Sequence, residues 1–220
     1  MATWVITGAN RGIGLALCRE LSHRGDQVIA ACRSASEELR APGIRVESGV
    51  DVASDASVAE LARRIAGERI DALVLNAGIL TVESIDDLDL ERIRRQLDVN
   101  ALGALRVVRA LLPALPSGGK IGLVTSLMGS MGDNGSGGYY GYRMSKAALN
   151  AAGVSLARDL APRGIAVAIL HPGFVRTGMT RMAGNLDADE SARGLIARMD
   201  ELTVRTTGRF LRFSGEELPW

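Results

Sequence analysis

Thr7-Gly8-Ala9-Asn10-Arg11-Gly12-Ile13-Gly14 follows a short β-branched run, Trp4 to Thr7, and leads into a helical pattern from Gly12 to Arg24. A strand, a glycine-rich turn and a helix in that order make a phosphate cradle. The glycines let the backbone turn tightly and approach a pyrophosphate, and the helix N-terminus aims free N–H groups at it. The spacing Gly-x-x-x-Gly-x-Gly is a variant of the general Gly-x-Gly-x-x-Gly dinucleotide fingerprint. Gly8, Asn10, Arg11, Gly12, Ile13 and Gly14 are therefore the expected cofactor contacts of this loop.

Beyond the loop, short aliphatic runs recur at Gln27 to Cys32, Ile44 to Glu47, Ala72 to Leu75, Ile121 to Thr125, Ile165 to Leu170 and Arg209 to Leu211. Between them, Ser57 to Ala66, Leu90 to Leu112, Tyr139 to Leu160 and Ala188 to Leu202 carry apolar residues at helical spacing. Alternating strand and helix predicts an α/β fold, a Rossmann-type doubly wound parallel sheet of about seven strands with helices on both faces. No Pro/Ser-rich linker or charge block divides the 220 residues, so residues 1–220 read as one domain. Gly129 to Gly138 and Pro172 to Asp187 are the least regular stretches. Both follow strands, at the end of a parallel sheet where ligands bind.

Composition narrows the partners. Net charge is +1, and 24 arginines, the 26 basic residues less Lys120 and Lys146, are scattered among 25 acids. No basic stripe points to nucleic acid. No apolar stretch approaches the roughly 18 residues of a membrane span, and Thr3 to Thr7 already reads as a strand rather than a signal peptide, which suggests a cytoplasmic protein. Cys18 and Cys32 match no metal-ligand spacing and read as buried thiols, so no metal is expected.

The second strand runs into Ala31-Cys32-Arg33, where an NAD enzyme usually places an acid for the ribose 2′-hydroxyl. Arg33, with Arg11, suits a 2′-phosphate instead, because guanidinium forks match phosphate oxygens. NADP(H) is the expected cofactor, ahead of NAD(H). Further along, Tyr142-Arg143-Met144-Ser145-Lys146 puts one of only two lysines four residues after a tyrosine. On a helix the two share a face, and an ammonium near a phenol favours the phenolate and so lowers its pKa.

These motifs, with Asn76-Ala77-Gly78 after the fourth strand, Asn100 in a long helical pattern, Ser126 after the fifth strand and His171-Pro172-Gly173 after the sixth, together resemble the short-chain dehydrogenase/reductase family over nearly the whole chain. Gly129-Ser130, Gly137-Gly138-Tyr139-Tyr140-Gly141-Tyr142-Arg143 and the ending Gly215 to Trp220 look most like its sniffer-type carbonyl reductases and the related C-factor group. The resemblance implies that Tyr142 is the general acid protonating a carbonyl oxygen as hydride arrives. It implies that Lys146 holds the nicotinamide ribose and lowers the phenol's pKa, that Ser126 polarises the carbonyl, and that Asn100 keeps a water in a proton relay. It further implies that Asp51 and Val52 bind adenine, with Asp51 equally able to cap the following turn. Pro172, Gly173, Val175 and Thr177 would close over the nicotinamide. Leu75 departs from the family's usual Asn-Asn-Ala-Gly. Family members usually associate through the helix carrying the Tyr-Lys pair, so a homodimer or homotetramer is expected. His23 and His171 read as structural.

Met128, Met131, Met179 and Met182 fall in the two irregular loops, and flexible thioethers line adaptable pockets, so the expected substrate is a small apolar carbonyl: an aldehyde, ketone or quinone. Two other readings stay open: an NADP-binding redox sensor or signalling factor with little turnover, and an NAD-dependent alcohol dehydrogenase working oxidatively.

Overall fold

The computed structural model describes all 220 residues, Met1 to Trp220. Seven strands, β1 (Thr3–Thr7), β2 (Gln27–Ala31), β3 (Ile44–Glu47), β4 (Ala72–Leu75), β5 (Lys120–Val124), β6 (Ala166–His171) and β7 (Phe210–Arg212), form one parallel sheet in the order β3-β2-β1-β4-β5-β6-β7. The helices are α1 (Gly12–His23), α2 (Asp55–Arg64), α3 (Leu90–Leu97), α4 (Gly103–Leu111), α5 (Tyr140–Leu160) and α6 (Ala188–Glu201).

Strand residues alternate between two apolar layers, as the pleat requires when both faces are covered. On one face Val5, Leu73, Ile121 and Val167 pack with α2, α4 and α5; on the other, Trp4, Ile6, Val74 and Ala168 pack with α1 and α6. β1 is paired on one side with β2 and on the other with β4, in register at Ile6 with Ala30 and Val74. The strand order reverses there, and the crevice outside the strand ends at such a switch point is where ligands bind in open sheets.

One local feature differs from sequence expectation. The helix expected over Leu90 to Leu112 is interrupted by a π turn at Asp98–Leu102, closed by Gly103 N–H donating to the Asp98 carbonyl. Helix-forming residues continue on both sides of the turn, which is why the pattern reads as one helix; within it Val99, Asn100 and Ala101 are all buried. At the end of α6, Lys120 Nζ donates to the carbonyls of Met199 at 2.7 Å and Asp200 at 2.8 Å, satisfying terminal acceptors with a cation.

α5 lies close on the sheet because Gly153 has no side chain: a Cβ there would stand 2.6 Å from Ile169 Cγ1 and 2.8 Å from Leu123 Cδ1. The small residues of this helix thus serve sheet packing at Gly153. Gly153→Val is expected to destabilise the fold by roughly 1–3 kcal/mol through overpacking, read as a lower urea midpoint at unchanged m-value.

Candidate active site

A cleft of about 470 Å³ opens at the carboxyl ends of β1, β2 and β4, walled by the glycine loop, Arg33, Asp51, Val52, Asn76 to Ile79 and Thr177. Its geometry begins with Gly8, whose φ of +66° is open to glycine and whose Cβ would lie 2.8 Å from Ala77 Cα. Thr7 Oγ1 accepts from the backbone N–H groups of Asn76 and Ala77, both at 3.1 Å, while Asn76 Nδ2 donates to the carbonyls of Thr7 at 3.1 Å and Gly8 at 3.2 Å. A side chain on Gly14 would overlap the Gly8 carbonyl and Asn76. These contacts staple the loop to the end of β4. Leu75, the departure from the family motif, is buried in the core under α2 and α4.

Asn10 Nδ2 reaches the Ser34 carbonyl at 2.9 Å and so ties the loop to the end of β2. Arg11 and Arg33 line the cleft, exposed, and neither takes part in a salt bridge, although 14 other arginines in this chain do. Asp51 accepts from Ala53 N at 2.9 Å, the turn-capping role open to it, and still faces the cleft. Val52 packs on Gly103, and the Thr177 methyl arches over Gly12. Ile13 completes the loop wall. A backbone held this open, with donors at the start of α1 and two cations lacking acid partners, fits an anionic dinucleotide.

Asn100, Ser126, Tyr142 and Lys146 do not line the cleft themselves; Asn100 and Lys146 stand behind Gly78, which does. A Cβ on Gly78 would lie 3.3 Å from Asn100 Oδ1 and 3.7 Å from Lys146 Nζ, so the amide oxygen and the ammonium face one small space. Lys146 is only 4% exposed, and its Nζ donates to the Val124 carbonyl at 2.9 Å. Burial pulls its pKa down to about 8. Tyr142, 7% exposed, presents its ring to that ammonium at 5.8 Å. Burial raises the phenol's pKa, and a hydrogen bond with Ser126 offsets part of the rise. The expectation that Lys146 lowers the phenol's pKa is not met: the ammonium addresses the ring face and a main-chain carbonyl, and desolvation dominates.

Asn100 is held by three hydrogen bonds. Its Nδ2 donates to the Ile79 carbonyl and to Ser145 Oγ, both at 2.9 Å, and its Oδ1 accepts from Ile79 N at 2.8 Å. Both amide hydrogens are spent, which leaves the side chain only acceptor capacity toward a water. Pro172, Gly173 and Val175 do not line the cleft. The Pro172 carbonyl accepts from Ser191 Oγ, a Cβ on Gly173 would strike Leu186 and Phe213, and Val175 is buried, so the three shape the loop that delivers Thr177. Of the methionines, Met179 lines the cleft and Met182 is exposed near it in sequence; Met131 is 77% exposed and Met128 half-buried, its N–H donating to Ser126 Oγ at 3.1 Å. Sequence reasoning missed Cys32, Val50, Ile79, Arg95 and Val99 on the cleft wall. Arg95 and Val99 are four apart on one helical stretch, a spacing that could have joined them to Asn100, one residue on.

A family model described as short chain dehydrogenase matches residues 2–187. Over the whole of both chains the sequence is 44% identical to 1-hydroxy-2-glutathionyl-2-methyl-3-butene dehydrogenase of a Rhodococcus species. It is 43% identical to C-signal of Myxococcus xanthus, over 69% of this chain and 93% of that protein. Among solved structures, a short-chain dehydrogenase/reductase from Burkholderia multivorans with bound NADP superposes with a TM-score of 0.93 at 31% identity, covering 100% of this chain and 99% of the other. The carbonyl reductase Sniffer of Drosophila melanogaster does so with 0.93 at 28%, covering both fully.

His171, at the end of β6, accepts the Leu127 N–H on Nδ1 at 3.2 Å and so fixes the backbone just after Ser126. Burial, then the nearby Arg212, pushes its pKa down from 6.5 to about 4. The unfolded chain therefore binds a proton that the folded chain refuses: the neutral ring's contribution is complete above about pH 6.5 and is lost as pH falls toward 4. His171→Gln keeps an acceptor without the titration. Between pH 6.5 and 5 its unfolding free energy, from urea melts, is expected to fall less steeply than wild type by up to one proton, about 1.4 kcal/mol per pH unit.

Proposed function

The chain belongs to the short-chain dehydrogenase family, and from that premise we propose that it is an NADP(H)-dependent oxidoreductase that reduces an apolar carbonyl to an alcohol. The observation that supports the reading is a buried phenol, hydroxyl and ammonium, Tyr142, Ser126 and Lys146, grouped behind Gly78 of a cleft that is also lined by the exposed Arg11 and Arg33. NADPH, when bound, supplies the hydride.

Each residue has a role that follows from its setting. Arg33 and Arg11 grip a 2′-phosphate, and the N–H groups at the start of α1 meet the pyrophosphate. Lys146 holds the ribose hydroxyls with the donors that Val124 leaves free, and shares the space before Gly78 with Asn100 Oδ1, through which a proton can be resupplied. Ser126 hydrogen-bonds the carbonyl oxygen. Tyr142 protonates that oxygen as negative charge builds on it, a transition-state interaction that the ground-state carbonyl does not elicit. A phenol is protonated at neutral pH, as a proton donor must be. Phe174, Met179 and Met182, exposed on the loop beside Thr177, support an apolar substrate.

The full-length likeness to a dehydrogenase of a glutathionyl alcohol favours a second reading, oxidation of an alcohol carried on a thioether conjugate. The two are separated by offering the protein NADPH with a carbonyl panel and NADP⁺ or NAD⁺ with S-conjugated alcohols. We expect hydrophobic aldehydes, ketones or quinones to be reduced and small charged keto acids to be poor substrates. Tyr142→Phe should lower kcat by roughly 10²-fold or more; an equal rate rejects Tyr142 as the acid, and tight NADPH binding without turnover favours the sensor. For the cofactor, Arg33→Ala should reduce the preference for NADPH over NADH, measured by fluorescence titration, by about tenfold or more through loss of charge-assisted bonds.

A further inference from the structure

We propose that Glu83 is a positioning residue for Tyr142: from a neighbouring loop it caps the N-terminus of the helix that carries the phenol. The proposal rests on the catalytic reading of Tyr142 given above. α5 has no cap of its own. The residue in the N-cap position, Tyr139, is left-handed at φ +53° and ψ 38° and supplies no side-chain bond to the first turn. The free N–H groups of that turn need acceptors. Glu83 provides them twice, its carbonyl accepting Tyr139 N at 2.8 Å and its Oε2 accepting Gly141 N at 3.2 Å. Tyr142 is the next residue.

Glu83 is 1% exposed and forms no salt bridge, an unusual setting for a carboxylate, which is ordinarily buried only beside a cation or metal. Its compensation is dipolar. Thr81 Oγ1 and Gln96 Nε2, the latter at 2.9 Å, donate to Oε1, and the N-terminal end of α5 lies against Oε2. Gln96, fully buried, is held in turn by accepting Thr81 N at 3.0 Å. Residue 141 is a glycine because a side chain there would overlap Gln96 Nε2, so helix and carboxylate pair close together. Three donors thus converge on the two oxygens of Glu83. A second clamp, Asn100 through Ser145 Oγ to the Tyr142 carbonyl at 2.8 Å, holds the same turn from the other side.

The test is a swap. Glu83→Gln must turn an N–H toward Gly141 or toward Gln96, leaving donor against donor. The swapped pair Glu83→Gln/Gln96→Glu restores the count, with the amide oxygen on Gly141 N–H and the amide nitrogen on the new carboxylate. We expect Glu83→Gln to lower kcat roughly tenfold or more, with KM for NADPH changed by less than about twofold, faster hydrogen exchange at the Gly141 amide, and recovery of kcat and exchange in the swap. Wild-type kcat in Glu83→Gln overturns the proposal. So does a parallel loss of kcat, NADPH affinity and urea midpoint that the swap does not repair. If the single variant does not fold, a folded swap with kcat near wild type supports the proposal and one impaired more than about tenfold overturns it. If the wild type turns over no substrate, the failure lies with the proposed function, and Gly141 exchange in the two variants alone decides the capping role.

Discussion

An ammonium buried without a carboxylate partner is the constraint around which this site is built. Lys146 has given up water and gained the Val124 carbonyl, the face of the Tyr142 ring and the small space before Gly78. A buried charge is tolerable only where fixed dipoles replace its hydration. The carboxyl end of β5, the Asn100 amide oxygen and the path of residues 76–79 must therefore all stay where they are. The chain's other lysine, Lys120, does a related job at the end of α6, with two main-chain carbonyls around its Nζ. Both lysines solvate backbone oxygens at close quarters, a task for a compact three-donor group. Arginine, with its broad planar fork, makes every salt bridge at the surface.

The segment from Gly78 to Glu83 has no regular structure and yet joins three elements. Asn100 pins both main-chain groups of Ile79, Gln96 pins Thr81 N, and Glu83 meets the start of α5. The π turn makes this possible. It rotates Asn100 inward while Gln96, a turn earlier, faces the same loop. The loop backbone is thus pinned at Ile79, Thr81 and Glu83, an arrangement suited to holding groups at fixed positions.

How much of this was legible in the sequence depends on the range of the interaction. Strand and helix periods, and the glycine loop between β1 and α1, are local patterns, and the observed elements follow them to within a residue or two at most ends. The proximity of Ser126, Tyr142 and Lys146 to one another follows from motif order on a parallel sheet. The π turn was hidden because helix-forming residues run on without a break on both sides of it. Glu83 was hidden because a loop acid between Val82 and Ser84 looks solvated, and only the tertiary structure shows Gln96 and Gly141 closing over it. The raised pKa of Tyr142 runs against the sequence argument for the same reason: an i, i+4 spacing says that two groups are near, but not that both have lost their water.

The central strand pairing has a consequence for the order in which the protein can form. β1 completes its hydrogen bonding only with β4, and the glycine loop is pinned only when Asn76 reaches the carbonyls of Thr7 and Gly8, close to 70 positions earlier in the chain. During synthesis the first strand, helix and second strand therefore emerge well before the partner that sets the nucleotide loop, and one edge of β1 stays open until then. Closing a loop of that length precedes any reward from the contacts it brings, so the nucleotide cradle is a late product of folding although its residues are made first.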